Sequence, residues 1–217
     1  MSGIRIFLLL TVIAVLPLVI VFFWFKARKF HITLPWFLAA IVTGIISLFA
    51  AALIQNFFPE PENAGLGTLL FGVFIRIAVI EEASRFLTFI PLLKTGNRLC
   101  GRNTAFGPAL GLVAGLGFAA LENASYGMAD INITMLRVFT AAPLHGACGI
   151  RIGEAVSKMS RSTAKAIFLF ISAVIIHGTY NLIIVSPAIP SILAVAAAFI
   201  AFFASIHLLN PSSPDSW

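Results

Sequence analysis

The sequence predicts an all-α protein, a polytopic bundle of about seven transmembrane helices, and three observations lead there. Of its 217 residues, 60% are hydrophobic and 10% are charged, where ordinary soluble domains carry roughly 25% charged residues. The apolar residues gather in runs matching the roughly 20 residues that a helix needs to cross the hydrocarbon core. Basic residues cluster between alternate runs, as membrane topology requires.

Seven runs qualify as spans: Ile4 to Phe25, Leu34 to Phe58, Thr68 to Leu93, Thr104 to Gly127, Ile133 to Gly153, Lys165 to Val185, and Ile189 to Leu209. The first ends in "FFWFKARKF", without a small-residue cleavage site, so it reads as a retained span and not as a signal peptide. The fifth is interrupted by Arg137, Pro143 and His145. The gaps between runs are too short for a soluble domain, so residues 1–217 read as one integral membrane domain.

Loop charge sets the orientation. Lys26, Arg28, Lys29, Lys94, Arg98, Arg102, Arg151, Lys158, Arg161 and Lys165 fall on one side, and only Arg5 on the other. Because cytoplasmic loops carry the excess of Lys and Arg, the N-terminus is expected outside and the C-terminus inside. The net charge of +6 is therefore topological, and nucleic acid is not an expected partner. Cys100 in a basic loop and Cys148 in an apolar run read as two free thiols.

Within the runs remain Arg76, Glu81, Glu82, Arg85, Glu122 and Arg137, together with His145, His177 and Asn181. An ionised group near the bilayer centre costs about 2.5 to 3.5 kcal/mol on insertion scales, so the six charges represent on the order of 15 kcal/mol before pairing. That is comparable to the whole net stability of a domain.

Mutual neutralisation explains part of the pattern. At about 100° per residue, Arg85 lies some 40° from Glu81 and 60° from Glu82 around the helix, able to pair with either but hardly with both. Two carboxylates sharing one cation split their roles, one held ionised and the other available to take a proton. Arg76 projects from another face and needs a partner elsewhere. In the fourth run Gly107, Gly111, Gly115 and Ala119 recur every four residues, a stripe that admits a neighbouring helix closely. Glu122 lies beside that stripe and should point into the bundle, with Phe118 one turn back shielding it from lipid. His177 and Asn181, four apart, share one helical face. Candidate partners on four runs point to a common polar cavity.

Intramembrane peptide hydrolysis needs an activated nucleophile, a proton donor and an oxyanion stabiliser. There is no "HExxH" and no "GxSG", and the only aspartates, Asp130 and Asp215, lie outside the runs. What remains is a carboxylate as base on water, histidines to orient that water or carry protons, and Asn181 as a neutral donor to the oxyanion.

Four motifs, "EEASR" at 81–85, "GFAALENASY" at 117–126, Arg137 followed by His145 and Gly149, and "HGTYN" at 177–181, resemble in order those of the PrsW family. That family comprises bacterial intramembrane proteases that make the first cut in membrane-anchored anti-sigma factors. It is related to the CAAX-protease and bacteriocin-processing superfamily. The resemblance implies a catalytic core within 68–185 and a multi-pass protein of the bacterial inner membrane. It makes Glu81 or Glu82 the base, His145 its partner, and His177 with Asn181 the oxyanion side, while Arg85, Phe118 and Arg137 support them. Family members commonly carry lysine where Arg85 stands, and Glu122 stands where CAAX proteases have histidine, which leaves its role open. The expected substrate is a membrane-anchored protein such as an anti-sigma factor, within a lipid environment. A water activated by glutamate requires no cofactor, with zinc on His145, His177 and two glutamates as the alternative. A proton-coupled transporter or channel would also use glutamate and histidine chains, yet no inverted repeat is visible. A non-catalytic scaffold subunit is the third reading.

Overall fold

The computed structural model describes residues 3–30, 32–58, 65–100, 106–128, 131–186 and 188–209. It is all-helical, with no strand among the described residues. The chain runs α1 (Gly3–Ala14), α2 (Leu16–Ala27), α3 (Leu34–Gln55), α4 (Leu66–Leu70), a π-helical segment (Phe71–Val79), α5 (Ile80–Cys100), α6 (Phe106–Tyr126), α7 (Ile131–Phe139), α8 (Ala141–Lys158), α9 (Thr163–Val185) and α10 (Ile192–Ile206), the last closing in a 3₁₀ turn.

Among the described residues, five stretches are long and apolar enough to cross a membrane: Leu8–Ala27, Leu34–Gln55, Phe106–Tyr126, Thr163–Val185 and Ile192–Leu209. The protein is thus a multi-pass membrane protein. The third and fifth runs expected from the sequence do not meet that measure as helices. α5 carries Glu81, Glu82, Arg85, Lys94 and Arg98, and α8 carries Arg151, Glu154 and Lys158.

Two expected runs are broken, each just upstream of a proline. A proline has no N–H for the carbonyl four residues back, and its ring crowds that carbonyl. Pro17 separates α1 from α2 at Val15, and Pro143 separates α7 from α8 at Thr140. The fifth run is therefore a nine-residue helix followed by an 18-residue one. The third is longer than expected, since the π-helical segment feeds directly into α5 and reaches Cys100.

α6 is the axis of the bundle. Its membrane-length window is 89% buried, whereas the other four such windows are 28 to 33% buried and present apolar side chains such as Phe23, Phe49, Leu53 and Phe168 outward. The stripe on α6 explains its position. A Cβ on Gly111 would collide with the carbonyl oxygen of Gly149, one on Gly107 with Ser157, and one on Gly115 with the carbonyl of His145. Residue numbers rise along α6 as they fall along α8, so the two helices pack antiparallel with backbones in contact. On an adjoining face of α6, Gly44 of α3 lies against Ala114 and Phe118, and Gly117 against Ile41. The expected close neighbour is thus α8, and this contact carries His145 to the Glu122 end of α6. Arg76, on the π-helical segment, donates from Nε to the Phe58 carbonyl at 2.6 Å.

Candidate functional site

Helix geometry left open which glutamate Arg85 would hold. Its Nη1 donates to both carboxylate oxygens of Glu82 at 2.6 Å. Glu81 turns instead toward the end of α3, where Gln55 Nε2 donates to its Oε1 at 3.3 Å. Its Oε2 lies 3.6 Å from His177 Nε2 and has no hydrogen-bond partner among the described residues. Both glutamates are buried.

The histidines close the cluster. His177 Nδ1 is 2.8 Å from Glu82 Oε1, and His145 Nε2 is 2.8 Å from Glu122 Oε2. A carboxylate that accepts selects the tautomer whose proton faces it, so His177 keeps its Nε2 lone pair toward Glu81. His145 by the same rule keeps its Nδ1 lone pair, which lies 3.3 Å from Arg85 Nη2. The two imidazoles meet edge to face with centroids 5.0 Å apart.

Phe118 forms the floor of the cluster. Its ring centroid is 5.1 Å from that of His145, and the Arg85 guanidinium lies over it at 4.3 Å. It is fully buried, so besides screening the polar set from lipid it provides a face for a cation. Glu122 is held by Arg137 Nη2 at 2.7 Å, while Arg137 Nε donates to Asn123 Oδ1 at 2.8 Å and the guanidinium lies 4.2 Å from the centre of the Tyr126 ring. Glu122 therefore stands in contact with His145 and also pairs with an arginine.

Of the residues expected in the site, Glu81, Glu82, Arg85, Phe118, Glu122, Arg137, His145 and His177 meet here. Asn181, one turn beyond His177, is half-buried and makes no hydrogen bond among the described residues. Sequence reasoning missed Gln55 and Asn123. Nothing marked Gln55, a polar residue closing an apolar helix, as a partner of a glutamate 26 positions away. Cys148 is a free buried thiol. The side chain of Cys100, Arg102, Asp130, Asp215 and the acidic stretch 59–64 lie outside the described residues.

Glu81, His145 and His177 each offer one atom that could bind a metal, and the three atoms lie within 4.8 Å of one another. The buried, unpartnered Glu81 Oε2 facing the free nitrogen of His177 fits a cation. So does the Glu82 carboxylate behind His177, the arrangement that fixes the tautomer of ligating histidines. Nitrogen and oxygen donors of this kind suit zinc.

The family model described as "PrsW family intramembrane metalloprotease" matches residues 33–208. No curated protein and no solved structure matches the chain.

Proposed function

Because the chain belongs to the PrsW family of intramembrane metalloproteases, we propose that it is an endopeptidase hydrolysing membrane-anchored proteins at a water set among Glu81, His145 and His177. The observation that carries this reading is one cluster of three glutamates and two histidines in which one carboxylate oxygen, Glu81 Oε2, has no hydrogen-bond partner among the described residues.

Glu81, His145 and His177 would hold the metal that the family description names. A metal there would supply Lewis-acid polarisation of the scissile carbonyl and a more acidic water. The chain's own groups have separate roles. Arg85 fixes Glu82, which orients His177; Arg137 fixes Glu122, which orients His145. Glu122 and Arg137 are the partly open members and give a proton its route to bulk water. Asn181, one turn beyond His177 on the same helix, would be the neutral amide donor to the oxyanion of a bound peptide.

One observation favours a second, metal-free form: Arg85 Nη2 already faces His145 Nδ1 at 3.3 Å. There Glu81 Oε2 takes the proton of the attacking water directly. The remaining expectations are part of the proposal: seven spans with the N-terminus outside, a catalytic core within 68–185 of a single domain, and the bacterial inner membrane as location. An anti-sigma factor is the proposed substrate, reaching the site laterally between helices.

The test is cleavage of a membrane-anchored substrate by purified protein in liposomes. Glu81→Gln should lower the rate by roughly 10²- to 10⁴-fold while the protein still inserts and purifies. Metal analysis and chelation separate the two forms. Stoichiometric zinc, lost in His177→Ala, supports the metal form; full activity in chelator with no bound metal supports the other. Unchanged cleavage by Glu81→Gln would sink both.

A further inference from the structure

About 13 residues along α8 from His145, some 20 Å at the helical rise, a cavity of about 230 Å³ opens between α5, the end of α8 and the turn before α9. Lys94, Asn97, Ser157, Lys158 and Arg161 line it together with the carboxylate of Glu154. None of these takes part in the proposed chemistry. Ile90, Leu93 and Met159 line the same space, so it is amphiphilic.

Its charge is unbalanced. Lys158 lies 3.6 Å from Glu154, and that pair is neutral as a unit. Lys94 and Arg161 are exposed and form no ion pair among the described residues. Two cations therefore converge on a cavity that also offers a side-chain amide and hydroxyls. The Ser157 hydroxyl spends its proton on the Gly153 carbonyl at 2.8 Å, which leaves the oxygen able to accept but not to donate. Asn97 is then the main neutral donor. A phosphodiester carries one negative charge and acceptor oxygens, which the two cations and the amide match. The apolar wall matches the glycerol backbone and the first methylenes of an acyl chain. This is also the end of the bundle where the sequence gathers its basic loops, the surface at which anionic lipids collect.

We infer that this cavity is a binding site for the headgroup of an anionic phospholipid, with Lys94 and Arg161 on the phosphate and Asn97 as its neutral donor. Such a lipid would tie the cytoplasmic end of α5, whose first turns carry Glu81 and Glu82, to the end of α8, which carries His145.

Native mass spectrometry of the full chain in detergent tests this by titration with phosphatidylglycerol or phosphatidylcholine of the same acyl chains. Phosphatidylglycerol should be retained at concentrations about tenfold or more below those for phosphatidylcholine. The double variant Lys94→Gln/Arg161→Gln should abolish the difference, whereas Lys26→Gln/Arg28→Gln, on the first basic loop, should preserve it. Millimolar inorganic phosphate should not displace the lipid. Equal retention of the two lipids, or a preference that survives the Lys94/Arg161 change, would overturn the site. Displacement by phosphate would reassign it to a soluble anion and overturn the lipid.

Discussion

Two groups at the centre of this bundle use the same three residue types and differ in how far they are buried. Glu82, His177 and Arg85 have side chains 0 to 2% exposed, whereas Glu122 and Arg137, which hold His145, are each 15% exposed. In the sealed group Arg85 and Glu82 brace His177 from behind and leave its Nε2 turned toward Glu81. The open group braces a histidine and also meets the outside. Glu81 sits between them with no arginine of its own, which is why its oxygen is the one left over.

The largest effect expected from this contrast is on Arg85. Arg85→Ala leaves Glu82 as an uncompensated buried charge, and removing one partner of a buried pair costs about 3 to 5 kcal/mol. Thermal or SDS-induced unfolding in detergent should record that loss. Arg85→Lys should recover much of it, since one ammonium still serves Glu82 as lysine would in the family members that carry it, with cleavage lowered only a few-fold by loss of the second contact, to His145. Full cleavage by the lysine variant would show that the Arg85–His145 contact is incidental.

A smaller effect is expected at the open group. Arg137→Ala removes the hydrogen bonds to Glu122 and Asn123, but the carboxylate left behind is less deeply buried than Glu82 and keeps His145 beside it, so the cost should be about 1 to 3 kcal/mol. Cleavage should fall further than stability, because Glu122 would no longer hold His145 in one orientation. If the Arg137 and Arg85 variants unfold at the same denaturant level, the distinction between a sealed and an open group is wrong.

Much of this was legible in the sequence, and the parts that were not share a cause. Composition fixed the membrane class, and the Gly107–Gly111–Gly115 stripe forecast a close helix pair because backbone approach depends only on missing side chains. The positions of Glu81, Glu82, Glu122, His145 and His177 stood out because a charge or an imidazole in an apolar run is costly wherever it lands. Pairing was another matter. Around the helix Arg85 is nearer to Glu81, yet it binds Glu82, because Gln55 of α3 draws Glu81 away while His177 of α9 joins Arg85 on Glu82, and angles within one helix carry no information about other helices. The break at Thr140 was readable from Pro143, whereas a run of apolar residues alone conceals it. Gln55 had no signal at all, since one amide at the end of an apolar helix is ordinary.

Gln55 is accordingly the finest test of the contrast. It donates to Glu81 Oε1 at 3.3 Å, a long bond that steers the carboxylate and leaves Oε2 toward His177. A neutral hydrogen bond of this kind contributes about 0.5 to 1.5 kcal/mol, so Gln55→Ala should lower kcat by a few-fold to about tenfold with KM unchanged. Bound metal, where present, should be held less tightly by a similar factor. Gln55→Glu should do more harm than Gln55→Ala, because it sets a like charge beside the one site carboxylate that has no arginine. Were Gln55→Ala to lose as much activity as Glu81→Gln, the working oxygen would be Oε1, and the site would have to be rebuilt around the end of α3 instead of around His177.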